Sequence, residues 1–178
     1  KYNKSEENFI RFQHDPSDST SLPSNYIETL FLDSNGVLWI GTKNGLCKYD
    51  PASNSFNKIQ LFKDASISET TRHIMALAEF PVGTMWVGTE NSSLLRFSTT
   101  DFKVEIIKET VKNSSTYVSC LQADTSRNCL WVGVFGWTLL KFDPETGLDR
   151  ALNWEQSKTE GMIAAIDNLT LDKVGNLW

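Results

Sequence analysis

The chain of 178 residues is long enough for one globular domain, and its 40% hydrophobic and 22% charged residues fit that class. A net charge of −5 disfavours a nucleic-acid surface and docking on anionic lipid, since both require basic residues. No apolar run approaches the ~20 residues of a membrane span, and no signal peptide opens the chain, because residues 1–5 lead into further polar residues.

The first predicted element is a short strand at Asn8 to Phe12, followed by a polar linker over residues 14–23. Four strands then follow one another, separated by short turns rich in Asp, Asn, Ser and Gly. They are predicted at Tyr26 to Leu32, Val37 to Thr42, Leu46 to Asp50 and Ser55 to Ile59. Four strands joined by short hairpins form a single antiparallel sheet.

The same pattern returns twice and then begins a third time. The second unit has strands at Ile74 to Glu79, Thr84 to Thr89, Leu94 to Phe97 and Val104 to Ile107. The third unit has strands at Tyr117 to Ala123, Cys129 to Val134, Leu139 to Phe142 and Asp149 to Leu152. A fourth unit has only Met162 to Leu171, a turn, and Asn176 to Trp178.

A tryptophan marks the second strand of every unit. Trp39, Trp86, Trp131 and Trp178 follow one another at intervals of 47, 45 and 47 residues, and the first three precede a glycine by two positions. This period, with Trp and Gly at constant phase, is typical of β-propeller blades. We therefore predict an all-β fold, a partial β-propeller of about three full blades and two part-blades. The predicted part-blades are 1–14 and 161–178, and the predicted blades are 24–62, 71–108 and 115–153.

The first repeat carries a denser motif, which includes the Trp39-Ile40-Gly41-Thr42 core. Its residues are Phe12, His14, Pro16, Asp18, Ser21, Leu22, Ser24, Asn25, Ile27, Leu30, Asp33, Gly36, Leu38 to Thr42, Gly45, Leu46, Tyr49 and Asp50. This motif resembles the two-component regulator propeller repeat. The later repeats depart from it: Phe80 replaces the turn aspartate, and Phe135-Gly136-Trp137-Thr138 replaces the loop after the second strand.

The resemblance implies a periplasmic sensor region of a membrane-anchored hybrid two-component regulator. In such proteins the propellers stand ahead of a membrane helix and a histidine kinase, and known members sense glycans or their breakdown products. We therefore expect signal transduction rather than catalysis from this segment, with an oligosaccharide ligand and the other domains of the parent protein as partners. The alternative is a propeller scaffold that has no small-molecule site in this segment.

The sequence contains no enzyme or metal constellation, so we expect no cofactor. His14 and His73 are 59 residues apart, and no C-x-x-C motif is present. Cys47, Cys120 and Cys129 are odd in number, which leaves at least one thiol unpaired within the chain; all three are interpreted as small apolar strand residues. The Trp-x-Gly cores are interpreted as packing between blades, and the turn aspartates as hairpin caps.

Candidate ligand residues follow from propeller topology. The loop entering the innermost strand and the loop joining the second and third strands open on the same face. The predicted ligand-binding residues on that face are Tyr26, Arg72, His73, Tyr117, Phe135 and Trp137. Phe135 and Trp137 break the repeat, and the sequence leaves ligand contact, an interface with another domain and local packing open for them. Exposed blade edges also predict self-association.

Overall fold

The structure, a computed structural model, describes residues 1–61, 72–91, 93–109, 117–135, 138–153 and 166–178. Trp137, the predicted linker residues 63–68 and 110–115, and the start of the fourth unit lie outside the described residues. The described part forms three four-stranded antiparallel sheets, which confirms the all-β propeller-blade prediction. In this part of the chain, no helix is long and apolar enough to cross a membrane.

Each sheet is one blade, with its strands in sequence order. Blade 1 consists of β3 (Ile27–Leu32), β4 (Leu38–Thr42), β5 (Gly45–Asp50) and β6 (Ser55–Ile59). Blade 2 consists of β7 (Ile74–Glu79), β8 (Thr84–Thr89), β9 (Ser93–Ser98) and β10 (Val104–Glu109). Blade 3 consists of β11 (Val118–Asp124), β12 (Cys129–Val134), β13 (Thr138–Asp143) and β14 (Gly147–Asn153). The innermost strands β3, β7 and β11 contact one another in succession.

The two ends of the chain add shorter elements. β1 (Tyr2–Asn3) and β2 (Asn8–Phe9) form a two-stranded sheet of their own. The predicted strand at residues 8–12 is therefore too long, because Phe12 leaves it to pack against Tyr49 and Phe56 of blade 1. At the other end, Leu171 and Leu177 form an antiparallel bridge within a hairpin of the fourth unit.

Tryptophan and glycine hold neighbouring blades together, as the sequence predicts. Trp39 packs on Phe97 of blade 2 with 5.5 Å between the ring centroids, and Trp86 packs on Phe142 of blade 3 at 5.2 Å. The glycine two residues later leaves room for the next innermost strand: a Cβ atom on Gly41 would lie 2.8 Å from the Ile74 side chain. Since such contacts essentially do not occur, only glycine fits here without movement of the neighbour.

The hairpin between the first two strands ends in a left-handed residue in every unit. Gly36, Gly83 and Gly175 have φ angles of 78°, 84° and 86°, and Asn128 takes the same position in blade 3 with φ of 49°. Asparagine is among the few residues that tolerate this conformation, so the substitution of Asn for Gly preserves the turn.

A buried aspartate in the same hairpin binds the indole of the blade's tryptophan. The Asp33 carboxylate accepts the Asn35 and Val37 backbone N–H groups at 3.0 and 2.8 Å and the Trp39 Nε1–H at 2.8 Å. We call this arrangement the Asp–Trp clasp. Asp124 with Trp131 and Asp172 with Trp178 repeat it at 3.2 and 3.0 Å. In blades 1 and 3 the turn aspartate is thus also the partner of a buried indole donor, whereas Trp178 of the fourth unit is exposed.

Blade 2 keeps the hydrogen bond but changes the acceptor. Phe80 occupies the aspartate position, and its backbone carbonyl accepts the Trp86 indole N–H. Glu79 caps the turn instead, accepting the Gly83 N–H at 2.8 Å. The same carboxylate accepts the Ser34 N–H at 2.8 Å, so it also ties the turn of blade 1 to blade 2.

The three cysteines are buried free thiols. Burial raises the pKa of Cys47 to about 12 and raises the pKa values of Cys120 and Cys129. This agrees with their interpretation as apolar strand residues, because a buried thiol stays protonated and unreactive.

Candidate ligand-recognition site

The edge of the blades opposite the clasps gathers four of the six predicted ligand residues. In each blade, the residue after the second strand donates its backbone N–H to the carbonyl of the residue before the first strand. The bonds run from Lys43 to Tyr26 at 3.1 Å, from Glu90 to His73 at 3.0 Å and from Phe135 to Tyr117 at 2.9 Å. We call these three couples the rim pairs and the edge that carries them the rim.

The backbone of the rim pairs is the same in all blades, but their side chains differ. In blade 1, Lys43 Nζ lies 5.5 Å from the ring centroid of Tyr26, a cation–π contact. Tyr26 is 68% exposed, so most of its ring is accessible. This pair offers an aromatic surface with a positive charge over it.

The rim pair of blade 2 is ionic. His73 Nδ1 lies 3.0 Å from a Glu90 carboxylate oxygen, and His73 Nε2 lies 2.8 Å from a carboxylate oxygen of Glu28 in blade 1. An ionised carboxylate only accepts hydrogen bonds, so both bonds form only when both ring nitrogens carry a proton. The imidazole therefore links two carboxylates and two blades.

Glu28 reaches His73 because the innermost strand bulges at that point. The register of β3 with β4 shifts between Ile27 and Thr29, which leaves Glu28 as an extra residue. The same shift leaves Met75 in blade 2 and Ser119 in blade 3. A β-bulge redirects a side chain away from the regular alternation, often beside a functional site. Ser119 uses this position to donate to the carbonyl of Ile166 in the fourth unit.

The rim pair of blade 3 is an aromatic stack. The rings of Tyr117 and Phe135 lie 4.7 Å apart with an angle of 10° between their planes. Burial raises the pKa of Tyr117, and the nearby carboxylates of Asp167, Glu28 and Glu90 raise it further. The stack is therefore a partly buried aromatic slab on the rim of blade 3.

The structure brings four of the six predicted ligand residues together as members of rim pairs: Tyr26, His73, Tyr117 and Phe135. Arg72 directly precedes His73 and has partners of its own, and Trp137 lies outside the described residues. Whether any of them binds a ligand stays a prediction. Sequence reasoning missed Glu28 and Asp167. The signal was present for Glu28, a charged residue at a strand position that the next two repeats fill with Met75 and Ser119.

The described residues contain no group of three or more His, Cys, Asp or Glu side chains arranged to hold a metal ion. The rim instead offers hydrogen-bond acceptors, one imidazole and aromatic surface at adjacent positions. Such a set suits the non-covalent recognition of a polar ring.

Comparison with known proteins tests the resemblance. Residues 21–44 match the family model of the two component regulator propeller. The resemblance is confirmed. "Histidine kinase P4" of Formosa agariphila is 33% identical over 89 residues, which cover 48% of this chain and 6% of that protein.

Solved structures agree in fold. The extracellular domain assigned to the hybrid two component system BT4673 of B. thetaiotaomicron superposes with a TM-score of 0.78 at 20% identity, covering 99% of this chain and 23% of that one. The extracellular domain assigned to BT3049 of the same organism gives 0.68 at 19% identity, covering 99% and 28%. At these identities the likeness shows the propeller fold alone.

The chain spans about a quarter of the length of these two domains and 6% of the curated relative. Its matched residues form propeller blades, a sensor-type rather than a catalytic fold, so the kinase in the relative's name belongs to a different part of that larger protein.

Proposed function

We propose that this chain is the ligand-recognition segment of an extracytoplasmic sensor propeller in a hybrid two-component regulator. It responds to glycans or their breakdown products and passes the binding event to a histidine kinase elsewhere in a membrane-anchored parent protein. The family match at residues 21–44 and the similarity to extracellular propeller domains support this proposal. The site is the rim.

The variation among the rim pairs carries the proposal. Three backbone positions that are equivalent in structure hold a cation–π pair, an ionic pair and an aromatic stack. Packing would favour the same solution in each blade, as it does for the tryptophans. Aromatic faces stack on the apolar faces of sugar rings, and carboxylates and imidazole bond to hydroxyl groups. The rim supplies both kinds of contact.

Isothermal titration calorimetry against a panel of oligosaccharides tests the proposal. We expect one class of glycan to bind, and we expect Phe135→Ala or Trp137→Ala to weaken that binding by at least about tenfold, or 1.4 kcal/mol. Phe9→Ala is the matched control, because Phe9 is 80% exposed on the N-terminal hairpin and does not belong to the rim. Unchanged affinity in both variants would move the site away from this edge.

A second candidate function is an interaction scaffold, favoured by one apolar surface of blade 1. Leu30 and Leu32 are 63% and 64% exposed there, whereas Leu77, the residue of blade 2 equivalent to Leu30, is 6% exposed beneath blade 1. A groove of ≈ 590 Å³ on this surface is lined by aromatic and aliphatic side chains, among them Phe9, Phe12, Ile27, Leu30 and Ile40. An apolar face of this size suits another domain of the parent protein or a second copy of the chain.

Sedimentation velocity of the chain and of the Leu30→Lys variant distinguishes these two possible partners of the apolar surface. A concentration-dependent dimer that the charge abolishes supports self-association. A monomer in both cases leaves the other domains of the parent protein as the partner, and loss of glycan binding in the same variant would contradict a scaffold independent of the rim.

A further inference from the structure

The N-terminal hairpin repeats the outer half of a blade. Residues 1–9 align with residues 48–56, which belong to the third and fourth strands of blade 1, and both segments carry Lys, Tyr and Phe at their first, second and ninth positions. In both, the tyrosine pairs with the phenylalanine in the strand register. In both, the seventh residue is left-handed, with φ of 51° at Glu7 and 53° at Asn54. The N-terminal hairpin is therefore a half-blade that consists of a third and a fourth strand.

This half-blade is placed beside blade 1 as blade 1 is placed beside blade 2. Lys48 Nζ lies 5.4 Å from the ring centroid of Phe102, in the outer turn of blade 2. Lys1 is the residue equivalent to Lys48, and its Nζ donates to Asn54 Oδ1 at 3.4 Å, in the outer turn of blade 1. Asn54 and Phe102 hold the same left-handed turn position. The contact between successive units thus continues to the N-terminal hairpin.

The N-terminal half-blade leaves the inner part of blade 1 uncovered. The groove of ≈ 590 Å³ lies there, beside Ile27 and Leu30 of the innermost strand. These two residues are 41% and 63% exposed. The equivalent residues of blade 2, Ile74 and Leu77, are 0% and 6% exposed, because the first two strands of blade 1 pack over them. The groove therefore has the shape and position of a contact for the first two strands of a blade.

The fourth unit contains such a pair of strands, which we call the C-terminal hairpin (residues 170–178). Thr170 and Trp178 exchange both backbone hydrogen bonds, at 3.0 and 2.9 Å, and Phe31 and Trp39 pair in the same way in blade 1. Asp172 holds the Trp178 indole at 3.0 Å, as in the other clasps. Trp178 is nevertheless 73% exposed. Its ring is oriented for a contact between blades that a single copy of the chain does not make.

We propose that the chain associates head to tail, with the C-terminal hairpin of one copy filling the groove on blade 1 of a second copy. The two half-blades then form one four-stranded sheet through the free edge of β1. In that sheet Trp178 lies opposite Lys1 of the second copy, the register that blade 1 has between its second and third strands. The Trp178 indole packs on Tyr49, as Trp39 packs on the aromatic residue at the same position of blade 2.

This inference rests on the second candidate function, the interaction scaffold, and names the surfaces that meet. Each copy has one groove and one C-terminal hairpin, so the contact is heterologous and each copy binds two neighbours. A closed pair contains three blades from each copy and two composite blades. That total lies at the upper end of the ~4–8 blades of propellers, so a ring of two copies is within the range of the fold.

Sedimentation velocity over a concentration series tests this contact. Leu30→Lys places a charge in the groove, and Trp178→Ala removes the inserted indole. We expect each variant alone to raise the dissociation constant at least about tenfold. Mixed in equal amounts, the two variants should form a dimer, because one retains the C-terminal hairpin and the other retains the groove. Ile106→Lys, on outer strand β10 and 66% exposed, is the matched control and should associate like the unmodified chain.

The outcomes separate the head-to-tail contact from the function on which it rests. An unmodified chain that stays monomeric overturns both the contact and self-association. Association that Leu30→Lys abolishes and Trp178→Ala leaves intact overturns the head-to-tail contact alone, since two blade 1 surfaces would then meet. A mixture of the two variants that stays monomeric also overturns it. Glycan binding at the rim is measured separately by calorimetry and does not depend on these results.

Discussion

The two edges of each blade differ in how much their side-chain contacts change from one blade to the next. At the clasp edge, a turn acceptor binds the tryptophan indole in all four units, and even blade 2, which lacks the aspartate, forms the bond through the Phe80 carbonyl. At the rim, the same backbone hydrogen bond supports three different side-chain pairs. The difference shows which edge is constrained by folding and which is available for recognition.

Burial explains this contrast. Trp39 and Trp86 are 2% and 0% exposed, so an indole N–H without an acceptor there would cost the desolvation of a buried donor. Rim side chains such as Tyr26 remain in contact with water, which satisfies their polar groups whatever their identity. Exchange of a clasp residue therefore affects stability, and exchange of a rim residue mainly affects what the rim binds.

The largest effect is expected from Asp124→Ala. Asp124 is fully buried and accepts bonds from Ser126, Arg127 and Trp131, at 2.6, 2.6 and 3.2 Å. Its removal leaves the indole donor without a partner, and we expect the free energy of unfolding to fall by about 2–4 kcal/mol. Urea denaturation followed by circular dichroism measures this.

Asp143→Ala is the matched control for that variant. Asp143 caps the hairpin between β13 and β14 of the same blade, accepting the Glu145 and Thr146 N–H groups, and it binds no indole among the described residues. Its loss should cost about 1 kcal/mol or less. Equal losses from the two variants would contradict the special role of the clasp.

The second largest effect is expected from acid, which should lower the stability that the clasp carboxylates give to the folded state. Burial, the largest influence, raises the pKa of Asp124, but the hydrogen bonds from Ser126, Arg127 and Trp131 outweigh it and lower the pKa well below its usual range. The bond from Trp178 and those from the turn lower the pKa of Asp172 to about 2. Such groups stabilise the folded state fully above their unfolded pKa, near 3.8.

That stabilisation is lost as the pH falls from about 4 through 2, where the folded carboxylates take up protons. Thermal unfolding between pH 6 and pH 2 should show a steep decline below pH 4, and Asp124→Asn should flatten it. A decline of the same steepness in that variant would mean that other carboxylates dominate.

Rim charges should matter less for folding. We expect Glu90→Gln to lower the free energy of unfolding by no more than about 1 kcal/mol, since the His73–Glu90 pair is partly exposed and salt screens it. Denaturation at low and high salt should bring the variant and the unmodified chain together. A loss above about 2 kcal/mol would make this pair a structural link between blades and remove the contrast between the edges.

The smallest effect is expected from Lys43→Ala. The cation–π contact with Tyr26 is exposed, and such contacts contribute about 0.5–1 kcal/mol. The melting temperature should therefore move by only a few degrees, measured by calorimetric scanning. Lys58→Ala, on outer strand β6 and outside the rim pairs, provides the comparison. A much larger shift for Lys43 would give the rim of blade 1 a structural role.

Repetition made most of the fold predictable. The strands of blades 1 to 3 lie within a few residues of their predicted positions, and Asn128 takes the left-handed turn position as expected. The strand at residues 8–12 was predicted too long, because alternation alone does not show that Phe12 turns away to cover Phe56. The clasp was only half predicted: the turn aspartates were seen as caps, but not as indole acceptors.

The position of the candidate site was predicted from the sequence, but one of its charged residues was missed. Propeller topology places the start of the first strand and the end of the second strand on one edge, so Tyr26, His73, Tyr117 and Phe135 could be assigned to it in advance. Glu28 stands out in the sequence only as a charged residue where the next repeats have Met75 and Ser119. Its contact with His73 could not be predicted, because strict strand alternation assigns its side chain to the other face, and only the bulge in β3 directs it to His73.

The amino-acid order alone specifies the blades, since a period near 47 residues with Trp and Gly in phase leaves few ways to bury those side chains. The meeting of Glu28 of blade 1 with His73 and Glu90 of blade 2 depends on how successive blades are placed side by side. These residues come from two different blades, and no local pattern encodes a distance between sheets. Contacts within a blade follow from hairpin geometry, whereas the charge of the rim arises only when the blades pack together.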